Sequence, residues 1–123
     1  MNRIAIVEDD RVILDIMREA FESFGFMVLA AESGEEALDK LDGSTRVLFV
    51  DLNLTGMSGV ELCRRLRQDS SPRIIYAVTG YASAIDLDEC KEVGFDDFFT
   101  KPVRLDTLHL AVRQGFERLS STS

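Results

Sequence analysis

The sequence predicts an α/β fold, five βα units wound on both faces of one parallel sheet. Three observations predict it. Short runs rich in Val, Ile and Phe recur five times along the chain. Patterns of helical period lie between them. The polar residues fit for chemistry stand at the ends of the runs rather than inside them. With 123 residues the chain is long enough to bury one core without disulfides or structural metals.

The first strand is predicted over Arg3 to Val7 and runs into Glu8, Asp9 and Asp10. Acids suit the start of a helix, whose dipole favours them, and Asp10 is assigned that task. The next helix sets Ile13, Ile16, Met17, Ala20, Phe21 and Phe24 on one stripe, with Arg11, Asp15, Arg18 and Glu22 off it, and Gly25 stops it. The second strand, Met27 to Ala31, yields only Glu32 and Ser33, residues of a helix start. The third, Arg46 to Val50, delivers Asp51; the fourth, Arg73 to Val78, delivers Thr79; the fifth, Asp97 to Thr100, delivers Lys101. Three helices open on a Ser with an acid three positions on: Ser33 with Glu36, Ser58 with Glu61 and Ser83 with Asp86. In such capping boxes the two side chains satisfy N–H groups that the first helical turn leaves unpaired. The last helix carries Leu105, Leu108, Val112, Phe116 and Leu119, and its start is poorly marked because Val103 and Arg104 are weak caps. Residues 120–123, "SSTS", read as a frayed tail or the stump of a linker, which leaves residues 1–119 as one domain.

Composition narrows the function. A net charge of -8, from 22 acidic against 14 basic residues, opposes direct binding of nucleic acid, whose phosphates need a positive field. No apolar run approaches the roughly 18 residues of a membrane span, and "MNRIAIVEDD" turns acidic too early for a secretory signal, so a cytoplasmic protein is expected. Cys63 and Cys90 fall on apolar helix faces and are expected as reduced thiols. His109 and the cluster Arg64, Arg65 and Arg67 are read as solvated surface.

Ligands of an open parallel sheet sit beyond the carboxyl ends of its strands. There the predicted strands place Glu8, Asp9, Asp51, Thr79 and Lys101. Carboxylates ~4 Å apart repel by roughly 4 kcal/mol at an effective dielectric near 20, so the converging acids require a cation. Oxygen donors with neither His nor Cys beside them suit Mg²⁺. An ion held by one or two carboxylates leaves positions for a phosphoryl group, which Lys101 and the Thr79 hydroxyl would also contact.

Taken together, "IAIVEDD", "VLFVDLNLTGMSG", "YAVTGYAS" and "GFDDFFTKP" resemble the receiver domain of two-component response regulators, and the resemblance covers essentially the whole chain. It implies the flavodoxin-like (βα)5 fold with strand order 2-1-3-4-5. It makes Asp51 the phosphoacceptor, fed by the phosphohistidine of a sensor histidine kinase or phosphotransfer protein. Asp9 and Asp51 would ligate Mg²⁺, joined by the backbone carbonyl of Asn53 and, through water, by Glu8. Lys101 and Thr79 would hold the phosphoryl group, and Thr79 and Phe98 would form the switch. Lys101–Pro102 stands where the family has a cis peptide, and Asn53 and Tyr81 where it tunes the lifetime of the phosphoryl group. The implied output face is the fourth helix, fifth strand and fifth helix, read by a partner or used by a monomer that dimerises on phosphorylation. The chain departs from the family in Thr55 for a frequent Pro, Phe98 for Tyr, and Val103 for Phe.

Other readings are poorer. An aspartyl phosphatase would need a general acid where Asn53 stands. A flavodoxin-like nucleotide binder would need N–H donors after the first strand, where "EDDR" presents acid to an anion. A signalling domain rather than an enzyme is therefore expected.

Overall fold

A computed structural model describes residues 2–80 and 84–121, without the side chains at 84–86. Five strands, β1 (Arg3–Val7), β2 (Met27–Ala31), β3 (Val47–Asp51), β4 (Ile74–Thr79) and β5 (Asp97–Thr100), alternate with α1 (Arg11–Ser23), α2 (Gly34–Lys40), α3 (Gly59–Leu66), α4 (Ala84–Val93) and α5 (Leu105–Ser121). All pairings are parallel, in the order β2-β1-β3-β4-β5. This is the flavodoxin-like arrangement expected from the sequence.

The strands are apolar throughout because the sheet is covered on both faces. Alternate residues define two cores. Ile4, Ile6, Phe49, Tyr76 and Val78 face Leu14, Met17 and Phe21 of α1 and Leu108, Val112 and Leu119 of α5. Ala5, Val7, Leu48, Val50, Ile75 and Ala77 face Ala37 of α2, Leu62, Cys63 and Leu66 of α3 and Cys90 of α4. Each large side chain so buried contributes roughly 1.5–3 kcal/mol. Both cysteines are free and buried, and burial pushes the Cys63 thiol up to about 11, so it stays protonated and unreactive.

The start and stop signals act largely as expected. Asp10 caps α1, its Oδ1 accepting from the N–H groups of Val12 and Ile13. Gly25 takes φ +95° after α1, a conformation that glycine adopts without strain. Ser33 and Ser58 each accept from the N–H three residues on, at 3.0 and 3.1 Å. The acid's half of the box differs: Glu36 reaches the N–H of Glu32, and Glu61 pairs with Arg64 and Arg65. The box expected at Ser83 lies outside the described residues. Helix α5 runs to Ser121, two residues into the stretch read as a tail.

Several expectations need correction. Strands β3 and β4 begin one residue late and end on Asp51 and Thr79, because Ile74 N–H bonds to Arg46 O and the ladder continues until Asp51 lies opposite Val78. In α1 the face against the sheet centres on Leu14, Met17 and Phe21, which leaves Ile16 53% and Phe24 41% exposed. His109 is half-buried rather than solvated: its ring stacks on Phe24 at 4.0 Å and meets the edge of Phe26. Arg67 is not a surface charge either. It donates to Gly94 O, Arg73 O and Asp96, joining α3 to the loop before β5.

The last helix also makes a directed contact. The buried Tyr76 hydroxyl donates to Ala111 O at 2.8 Å, and a Cβ at Gly115 would lie 3.2 Å from that hydroxyl.

Candidate functional site

The sheet register brings the strand ends together. β1 ends on Val7 paired with Val50, so Glu8 emerges next to Asp51. The loop after β5 starts with Lys101, whose N–H donates to Thr79 O at 2.7 Å. Glycine at 59 allows β3 to close onto α3, since a Cβ there would run into the backbone of Asp51 and Leu52.

Glu8 and Asp51 are buried, and Lys101 reaches both. Its Nζ lies 2.5 Å from Glu8 Oε1 and 3.2 Å from Asp51 Oδ2. Asp9, the least buried of the three acids, lies beside them, and one carboxylate oxygen from each of Glu8, Asp9 and Asp51 lies within 4.8 Å of the others. At that separation like charges repel by roughly 3 kcal/mol at an effective dielectric near 20. Lys101 balances only one of the three charges.

The imbalance appears in the acidities. Burial, and then the neighbouring Asp51, push Glu8 up to about 7 despite its bond to Lys101. Burial alone would lower Lys101, but Glu8 and Asp51 outweigh it and hold the ammonium above its ordinary value. The Thr55 hydroxyl holds Asp9 below the usual carboxylate range. The donor set is all carboxylate oxygen, which fits a hard cation such as Mg²⁺.

The loop after β3 is tied in place. Asn53 N–H donates to Asp51 Oδ1 at 2.9 Å, and Asn53 Nδ2 donates to the buried Thr79 hydroxyl at 3.2 Å. Glu8, Asp9, Asp51, Asn53, Thr79 and Lys101 thus lie together at the rim where the sequence places a site. Phe98 is half-buried against the α2, α3 and α4 core, on the adjoining strand. Lys101–Pro102 is cis, as expected. Tyr81 lies outside the described residues. One participant escaped the sequence reading: Thr55, noted only as a replacement for proline, binds Asp9 through both its N–H and its hydroxyl. That contact spans 46 positions, and no spacing rule signals it.

Comparison with known proteins agrees with the geometry. Residues 4–113 match the model of the response regulator receiver domain. The chain is 36% identical over 109 residues to a cyclic di-GMP phosphodiesterase of Thermotoga maritima, covering 89% of this chain and 29% of that protein. It is 36% identical over 102 residues to the transcriptional regulatory protein CpxR of Escherichia coli, covering 83% of this chain and 44% of the relative. The chain spans less than half the length of these curated relatives. Among solved structures, a CheY-like receiver domain protein of Methanospirillum hungatei superposes with a TM-score of 0.95 at 27% identity, over 100% of this chain and 99% of the other.

Proposed function

The chain belongs to the response regulator receiver domain family of two-component systems, and from that premise we propose that it is a phosphorelay receiver whose Asp51 accepts a phosphoryl group from a phosphohistidine. The observation that carries this reading is the reach of Lys101 to both Glu8 and Asp51, with Asp9 alongside. Four chain segments meet there around an acidic centre that a single lysine underneutralises.

Asp9, Asp51 and the Asn53 carbonyl would hold Mg²⁺, with Glu8 touching it through water. When bound, the ion supplies positive charge to the phosphoryl oxygens. An Asp51 carboxylate oxygen attacks phosphorus in line; the P–N bond to the donor imidazole breaks and its electron pair returns to the ring, leaving an acyl phosphate. Lys101 swings its ammonium from the carboxylates to a phosphoryl oxygen, and the Thr79 hydroxyl donates to another. Water later attacks the same phosphorus and frees the Asp51 carboxylate. Asn53, whose amide donates to Thr79, is too weak an acid to protonate a leaving group, which speaks against a phosphatase acting on phosphoesters.

The phosphoryl group brings roughly -1.5 to -2 charge by analogy with hydroxyl phosphates. Thr79 moves towards it, Phe98 turns into the space released, and the α4–β5–α5 face changes. Coupling of this kind is typically about 1–3 kcal/mol. The domain signals rather than turning over a metabolite, and its partners are a histidine kinase or phosphotransfer protein and an output partner or domain. Mass measured after brief treatment with acetyl phosphate and Mg²⁺ tests the reading. One added phosphate is expected, absent in Asp51→Asn and after chelation; an unmodified wild-type chain, or an equally modified Asp51→Asn, overturns it.

A further inference from the structure

Thr55 has no part in the chemistry above, yet it is bonded to one of the site's acids. Its N–H and its hydroxyl both donate to Asp9 Oδ2, at 3.2 and 2.8 Å. The backbone behind Asp9 is already fixed: Asp10 N–H donates to Glu8 Oε2 at 3.1 Å, and Asp10 caps α1. What stays free is the Asp9 side chain, which is only half-buried and would otherwise sample several rotamers. Two donors on one oxygen remove that freedom and leave the other oxygen's lone pairs available. Gly56, at φ +78°, turns the loop directly after Thr55.

The geometry points to Thr55 as a positioning residue for Mg²⁺ binding, a latch reaching across from the β3–α3 loop that holds the Asp9 carboxylate in its ligating orientation. This rests on the reading of Asp9 as a magnesium ligand. Hydrogen bonds to a metal's carboxylate ligands set their orientation, and losing such a partner typically weakens metal binding about 10- to 100-fold. Here the N–H and hydroxyl share the task, so their removal should act in steps.

The test is calorimetric titration of the whole chain with Mg²⁺, comparing wild type with Thr55→Ser, Thr55→Val, Thr55→Pro and Asp9→Asn. Thr55→Ser keeps both donors and should bind within about twofold of wild type. Thr55→Val, lacking the hydroxyl, should bind roughly 3- to 10-fold more weakly, and Thr55→Pro, lacking both donors, at least as weakly as Val. Asp9→Asn should lose about tenfold or more. Wild-type affinity in Asp9→Asn would remove the magnesium reading itself. Weakened binding in Asp9→Asn with wild-type affinity in the Val and Pro variants would leave that reading intact and overturn the latch. A second readout is phosphorylation by acetyl phosphate: the Mg²⁺ concentration for half the maximal rate should rise in step with the dissociation constant, while the rate at saturating Mg²⁺ stays that of wild type. A lower saturated rate with an unmoved half-point would also overturn the inference.

Discussion

The two rims of the sheet handle charge in opposite ways. At the rim where the strands begin, cations are matched. Arg73, almost wholly buried, binds both Asp69 oxygens, Thr45 O and Asp42 O, while Arg67 binds Asp96, Gly94 O and Arg73 O. Asp96 in turn accepts from Ile75 N–H and Arg118. At the rim where the strands end, Glu8, Asp9 and Asp51 crowd a single lysine. A matched network holds loops in register, and an unmatched one retains a demand for positive charge. One rim is built for stability, and the other is where we propose the chemistry.

Substitutions at the two rims should therefore differ in kind. The largest effect is expected from Arg73→Met, which takes the guanidinium away from two loop carbonyls and Asp69: a loss of roughly 3 kcal/mol in urea unfolding with unchanged Mg²⁺ affinity. A concurrent fall in Mg²⁺ affinity would show the rims to be coupled. Next comes Lys101→Met, expected to cost the metal-free protein about 2 kcal/mol and to recover much of that in saturating Mg²⁺, because the ion meets the same charge. Arg73→Met should show no such recovery.

The pH dependence should separate the rims further. Glu8 titrates near 7 in the fold, above the ordinary glutamate range. The stability that its protonated form contributes is complete below that ordinary range and is lost as pH rises through about 7. Between pH 5 and 7.5, metal-free wild type should lose roughly 1–2 kcal/mol relative to Glu8→Gln, as followed by unfolding at each pH. Parallel profiles for the two proteins would place the charge strain elsewhere. Asp51→Asn, which removes one of the crowded charges, should stabilise the metal-free protein by about 1 kcal/mol while abolishing phosphorylation. Smallest of all, Arg64→Ala should stay within about 0.5 kcal/mol, since its pair with Glu61 is exposed.

Most of this architecture was legible in the residues. Strand runs, caps and the polar ends of four strands foretold which residues gather at one rim, because a parallel sheet exports whatever follows each strand to the same side. What resisted was whatever depends on packing between distant segments. Arg67 looks like Arg64 and Arg65 in sequence, and its partners at Gly94 and Asp96 lie 27 and 29 positions away. The stripe on α1 includes Ile16 and Phe24 by periodicity, but the packing of the helix against the sheet and α5 decided which positions were covered. His109 needed Phe24 as a neighbour before it had anything to stack on. Thr55 illustrates the same point at the site: its hydroxyl was visible, but the acid it meets was not.

The seat of Tyr76 beneath the final helix has a mechanical consequence. Sliding α5 along its axis by about 1.5 Å, the rise of one residue, would draw Ala111 O away from the tyrosine hydroxyl and disturb the close fit of Gly115 against Tyr76 and Ile74. Bond and contact together resist translation there, as a pin does in a keyway. A displacement of α5 that keeps both is a swing about that point, and its reach grows towards the two ends of the helix.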